Sequence, residues 1–142
     1  MPSFKIFDIA GSGMSAQSVR LNTVASNLAN ADSVGTDPAH VYKARHPVFE
    51  AIRSSLNSSM PGQQGSDGAV RVKGIYENQA APDARFEPGN PLADAQGYVY
   101  APNVNVVEEM VDMISASRTY QNNVEVLTTS KDLMLATLKL GS

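Results

Sequence analysis

The chain has 142 residues, with 11 Lys and Arg against 14 Asp and Glu, a net charge of −3, no cysteine and no tryptophan. That balance carries no basic footprint for nucleic acid or an acidic membrane surface, and the missing thiols remove disulfides, thiolate catalysis and cysteine-ligated zinc while leaving the redox compartment open. Nowhere do about eighteen apolar residues run together, so direct membrane insertion is not expected; the first residues also lack the apolar stretch of a secretory signal, so any exit from the cytosol is expected to proceed without signal cleavage.

Residues 4–31 read as one helix. Phe7, Met14, Leu21 and Leu28 recur at every seventh position, with Ala10, Val24 and Ala31 three residues after three of them. A 3.5-residue period keeps a single seam turned toward a partner helix. Ser12, Ser15, Ser18, Asn22 and Asn27 are expected to keep the opposite face polar, while Gln17 interrupts the seam. Gly11 and Gly13 each cost about 1 kcal/mol against alanine in a helix interior, so a neighbour is expected to pack close to them. The turn residues from Asp32 to Pro38 end the helix.

The middle of the chain holds most of the prolines and reads as a small insert of two to four short strands. Residues 41–52 look extended, but Pro47 restricts them to an edge strand or a strand pair. Residues 54–68, rich in Ser, Asn, Gln and Gly, read as a flexible loop. Val70 to Glu77 alternates apolar and charged side chains, the pattern of a half-buried strand. Pro88-Gly89-Asn90-Pro91 forces a turn, and residues 97–100 give another short strand.

From about Val104 to Leu140 the heptad returns. Val106, Met113, Tyr120, Leu127 and Met134 lie on the seam, and Met110, Val124 and Leu138 fill neighbouring positions, with Val107, Ile114 and Leu135 widening the stripe. A stripe that wide contacts more than one helix. Asn103 or Asn105 is expected to cap the start. Glu108, Glu109 and Asp112 near the beginning and Lys139 near the end match the helix macrodipole, with the paired glutamates read as solvated. Ser117 and Lys131 interrupt the seam and are expected to set register.

Sites for chemistry are sparse. His40 and His46, the two histidines, stand near Asp32 and Asp37 without the recurrent spacing of a metal centre, and exposed loop positions are expected for both. The Asp32 to Asp37 run lacks the glutamate and alternation of a calcium loop. Gly11-Ser12-Gly13 follows no strand and precedes no Lys-Ser or Lys-Thr, so close helix approach explains it better than phosphate binding. Gly-x-Ser-x-Gly is absent. Asn57-Ser58-Ser59 matches a glycosylation acceptor in form alone. No catalytic residue, cofactor or metal is expected.

Three stretches resemble one family. Asn27-Leu28-Ala29-Asn30-Ala31-Asp32-Ser33 is similar to the helix-ending motif of the bacterial flagellar rod and hook axial proteins. The run from Phe86 to Val99, containing Pro88-Gly89-Asn90-Pro91-Leu92-Ala93-Asp94, resembles the signature of proximal-rod subunits within that family. Residues 103–111, 115–121 and 123–127 resemble the family's C-terminal helix. The resemblance implies a non-enzymatic subunit that leaves through the flagellar type III export apparatus, joins other rod proteins and further copies of itself in a helical assembly, and sits in the periplasm-spanning rod of the basal body, transmitting torque.

The fold class that follows is mainly α with a small β-rich insert. Segments 1–31 and 104–142 are expected to pair in a coiled-coil-like, discontinuous helical core, with 32–103 as the insert. The expected assembly interface is Phe7, Met14, Leu21, Val24 and Leu28 on the first helix, with Met110, Met113, Tyr120, Val124 and Leu127 on the second. Two rivals remain: an adaptor or export-related binding module of the axial structure, and a wall-acting hydrolase that would draw on Asp94, Glu87 and His46.

Overall fold

The structure is a computed structural model describing residues 2–53 and 66–140. Two long helices, α1 (Pro2–Asn30) and α2 (Val106–Leu140), enclose in sequence four strands, β1 (Arg45–Arg53), β2 (Ser66–Glu77), β3 (Asp83–Phe86) and β4 (Tyr98–Ala101). The strands form two separate two-stranded sheets, β1 with β2 and β3 with β4. No described helix is long and apolar enough to cross a membrane.

The chain divides into two compact units: Met1–Val19, Val48–Gly74 and Ser115–Ser142 in one, Arg20–Pro47 and Ile75–Ile114 in the other. In the first, Ser12 Oγ accepts a hydrogen bond from the Val70 amide at 3.1 Å, which holds the start of β2 to α1. Gly13 fits tightly: a Cβ there would lie 2.9 Å from Asn123 Nδ2 of α2, whereas a Cβ on Gly11 would meet nothing within 4 Å. Close helix approach thus accounts for Gly13 and not for Gly11, and α1 runs unbroken through both.

In the second unit, α1 meets α2 through Arg20 and Asp112, paired at 2.6 Å, and through Asn27 and Glu109. Asn105, rather than Asn103, caps α2: its Oδ1 accepts from the amides of Val107 and Glu108, satisfying two of the donors that a helix start leaves open. Asn103 has another task. Its Oδ1 accepts from the Ala44 amide and its Nδ2 donates to the carbonyls of Asn78 and Ala80, fastening the chain on either side of β1 and β2.

Pro47 is accommodated because each strand of a two-stranded sheet has a free edge. Arg45 and Glu77, then Glu50 and Arg71, form exposed ion pairs at 3.0 Å. The start of β2, Ser66–Gly68, is strand where a loop was expected. The rest of that expected loop, residues 54–65, lies outside the described residues together with the Asn57 tripeptide.

β3 runs antiparallel to β4 from Asp83 opposite Ala101 to Phe86 opposite Tyr98. β4 alternates exposed and buried side chains, with Val99 and Ala101 fully buried. β3 is exposed along its whole length, which removes the alternation by which a sequence declares a strand. The connection between them is built from its own side chains. Asp94 Oδ1 accepts from the amides of Gln96 and Tyr98 while Oδ2 accepts from the Tyr100 hydroxyl. These bonds hold the Asp94 carboxyl below its usual range, the Tyr98 amide contributing most. Asn90 donates to Glu87 and accepts from the Leu92 amide. Gly97 takes a φ of 85°, and a Cβ there would sit 3.0 Å from the Phe86 ring, so glycine is required on both counts. The Pro-Gly-Asn-Pro-Leu-Ala-Asp stretch is therefore a self-supporting turn.

Candidate assembly interface

The inward line of α1 consists of small and polar residues. Ala10, Ala16, Thr23, Val24, Asn27 and Ala31 are buried; Thr23 follows Ala16 by seven, and Asn27 follows Val24 by three and precedes Ala31 by four, the spacings of one helix face. On α2 the buried positions are Glu109 and Ala116. The largest fully buried side chains among the described residues are only Val99 and Asn27.

Asn27 is completely buried and uses its whole amide. Nδ2 donates to the Arg45 carbonyl at 2.8 Å and to Glu109 Oε1 at 2.9 Å; Oδ1 accepts from the Tyr42 hydroxyl and the Arg45 amide, both at 2.9 Å. Four bonds are the capacity of a side-chain amide. One residue thereby joins α1, the segment before β1 with the first residue of that strand, and α2. The Arg45 guanidinium also lies over the Tyr42 ring, 5.5 Å from its centre.

Glu109 corrects the expectation of two solvated glutamates. Glu108 is exposed, but Glu109 is 4 % exposed and its Oε2 is buried without a hydrogen-bond partner among the described residues. Burial pushes its carboxyl above the ordinary range, opposed by the Asn27 hydrogen bond and the nearby His46, and reinforced by Asp112 and Glu108. Gln17 Oε1 is likewise buried and unpartnered.

The ten expected interface residues occupy three kinds of position. Val24 is buried inside the chain. Phe7, Met14, Leu21 and Leu28 on α1, with Met113 and Leu127 on α2, are half-buried on the flanks of the inward line. Met110, Tyr120 and Val124 are exposed. More exposed still are Val107 at 70 %, Val111, Ile114 at 57 %, Leu133 and Leu138 at 70 %. Bulk led the sequence reading to the flanks, because the contact line itself is built from residues that hydropathy ranks low. Ala16, Asn27, Glu109 and Ala116 are buried positions outside the expected set, whereas the close neighbour at Gly13 was expected; the recurrence of small residues at Ala10, Gly13 and Ala16 was the available signal.

The residues that would serve hydrolysis are engaged elsewhere. Asp94 and Glu87 hold the turn between β3 and β4. His46 belongs to β1, rather than to a loop, and stacks on Tyr76 at 5.4 Å. His40 is exposed in its loop and pairs with Asp37 at 2.6 Å. Among the described residues no three His, Asp or Glu side chains are grouped to hold a metal ion.

Comparison with known proteins bears on these surfaces. Residues 7–35 match the family described as flagella basal body rod protein, and residues 95–140 match the C-terminal family of the flagellar basal body rod FlgEFG proteins. The chain is 53 % identical over 141 residues to the flagellar basal-body rod protein FlgC of Salmonella typhimurium and 55 % identical over 141 residues to that of Yersinia enterocolitica, covering 99 % of both chains in each case. It is 32 % identical over 149 residues to the protein of the same name from Bacillus subtilis, again covering 99 % of each. With both helices and the turn between β3 and β4 inside these alignments, the chain belongs to the FlgC family of flagellar basal-body rod proteins and is a structural subunit of the rod.

Proposed function

We propose that this subunit self-assembles, with other rod proteins, into the proximal segment of a helical drive shaft that carries torque across the periplasm. It reaches that place through the flagellar type III export apparatus, with no signal removed. Segments 1–31 and 104–142 act as one discontinuous helical core and pair in coiled-coil fashion, while 32–103 is an insert carried outside it.

The observation that carries this reading is the distribution of apolar bulk. Alanines and a few valines are buried, whereas Val107, Met110, Val111, Ile114, Leu133, Leu135 and Leu138 of α2 face outward. Isolated exposed apolar residues are ordinary, but groups of them near both ends of one helix mark an interaction surface. Fully burying one such side chain contributes about 1.5 to 3 kcal/mol, so neighbours that cover the series supply what a single copy lacks.

The test is to replace Leu21 or Leu127 with aspartate. Both are half-buried, and a charge placed in a dry seam costs several kcal/mol or forces the contact open. Each variant is expected to be missing from purified basal bodies and to abolish swimming. Normal motility in both would refute the interface.

A further inference from the structure

Glu109 is a buried carboxyl with no compensating charge. It is 4 % exposed, its Oε1 takes one hydrogen bond from the neutral amide of Asn27 at 2.9 Å, and its Oε2 has no partner among the described residues. Cations on the elements around it are committed elsewhere. On α1, Arg20 holds Asp112 at 2.6 Å. Before β1, Lys43 donates to Gln79; in β1, Arg45 pairs with Glu77 and lies over the Tyr42 ring, while half-buried His46 stacks on Tyr76. On its own helix, Glu108 and Asp112 add like charge.

The start of a helix ordinarily steadies an anion, but here the amides of Val107, Glu108 and Glu109 all donate to Asn105. An ionised carboxyl without a partner is costly in such a place, and a carboxyl that keeps its proton is not. His46 and the Asn27 bond favour the charged form, and burial outweighs both.

We propose that this junction is a proton-operated latch: Glu109 with its proton holds the start of α2 against Asn27 of α1, and on losing the proton it draws the first turns of α2 away toward water. Only one of the four Asn27 bonds reaches α2; the other three go to Tyr42 and Arg45. Opening therefore frees the start of α2 and leaves α1 bound to Tyr42 and Arg45. All of these residues belong to one compact unit, so the movement is local.

Water solvates the carboxylate in the open junction, so the open form binds the proton less tightly than the closed one. Below the ordinary glutamate range both forms carry the proton and closure is fully favoured. As pH rises toward the value of the closed carboxyl, the open form sheds its proton first and closure weakens. A chain that folds in a compartment more acidic than the one it left gains this contact on arrival; that consequence rests on the export route proposed above, whereas the latch itself does not.

The test uses the purified full-length chain. Carbon NMR of the Glu109 side-chain carboxyl, assigned through its backbone, is expected to give a titration midpoint above the ordinary glutamate range, and Asp112→Asn is expected to lower that midpoint by removing a like charge. Hydrogen exchange across the same pH range, corrected for the intrinsic rate at each pH, reads the opening. Protection of the amides of residues 110–114 is expected to fall at least threefold, while the Arg45 amide, still bonded to Asn27, keeps its protection; in Glu109→Gln both stay flat. If that variant fails to fold, the native titration, the Asp112→Asn shift and the native exchange profile decide alone. A native midpoint inside the ordinary range, a midpoint that Asp112→Asn does not lower, or protection at the start of α2 that ignores pH would overturn the latch. Equal loss at Arg45 and at the start of α2 would also overturn it, because the whole unit would then be opening.

Discussion

Asn27 is the residue whose replacement tests the interior most sharply. Truncation to alanine removes four hydrogen bonds at once. The partners do not lose equally. The Tyr42 hydroxyl is half-buried and Arg45 is exposed, so water can replace part of what they lose, at about 1 kcal/mol each in net terms. Glu109 is 4 % exposed and its Oε2 already lacks a partner; without Asn27, Oε1 loses its donor as well. An orphaned buried polar group costs about 1 to 3 kcal/mol, giving a combined loss of about 3 to 5 kcal/mol from a total that for single domains is about 5 to 15 kcal/mol.

Asn27→Asp separates hydrogen bonding from shape. The oxygen facing Tyr42 and the Arg45 amide still accepts, but the second oxygen now meets the Arg45 carbonyl and Glu109 Oε1 with no proton to offer. At neutral pH this variant is therefore expected to be at least as unstable as Asn27→Ala, and to recover on acidification as a proton is restored between the two carboxyls. Urea unfolding followed by far-ultraviolet circular dichroism measures both losses. A change under about 0.5 kcal/mol in both variants would refute the claim that this amide unites the helices with the segment before β1.

Two further predictions follow from local geometry. Gly11→Ala should stabilise α1 by about 1 kcal/mol, the difference in helix propensity, because the new methyl meets nothing within 4 Å; Gly13→Ala should lose that gain by displacing Asn123, so thermal midpoints that move equally in the two variants would contradict the close approach. Glu109→Gln should abolish a pH dependence. The folded carboxyl holds its proton more tightly than the unfolded one, so its contribution to stability is complete below the ordinary glutamate range and is lost as pH rises through the folded value. Native unfolding free energy should therefore fall across that window while the Gln variant stays flat; equal slopes would refute the assignment.

How far the sequence disclosed this molecule depends on which force set each feature. Heptad spacing identified both helices to within a few residues, since their period survives in any environment. The turn chemistry of Pro88 to Asn90 and the alternation of Val70 to Glu77 were equally visible. β3 was not, because its side chains are all exposed and no periodicity records a partner strand. Asn103 and Asn105 were equivalent as caps until tertiary contacts assigned the first to the insert and the second to α2. Glu109 looked like a dipole-compensating surface acid beside Glu108; only the approach of Asn27 from a remote part of the chain distinguishes the two. Small residues at a contact line are similarly quiet in a hydropathy pattern, which is why the buried Ala16 and Ala116 went unnamed, whereas the close neighbour at Gly13 was legible in the cost of a glycine inside a helix.

Hydrogen exchange along α2 tests the central claim most directly, by comparing the purified chain in solution with the same chain inside isolated basal bodies. If the outward apolar series is completed by neighbouring subunits, amides of residues 106–140 exchange at least a hundredfold more slowly in the basal body than in the free chain, with the gain centred on the turns around Val111 and Leu135. Equal protection in the two states would mean that one copy already stabilises the helix alone, and would contradict the account.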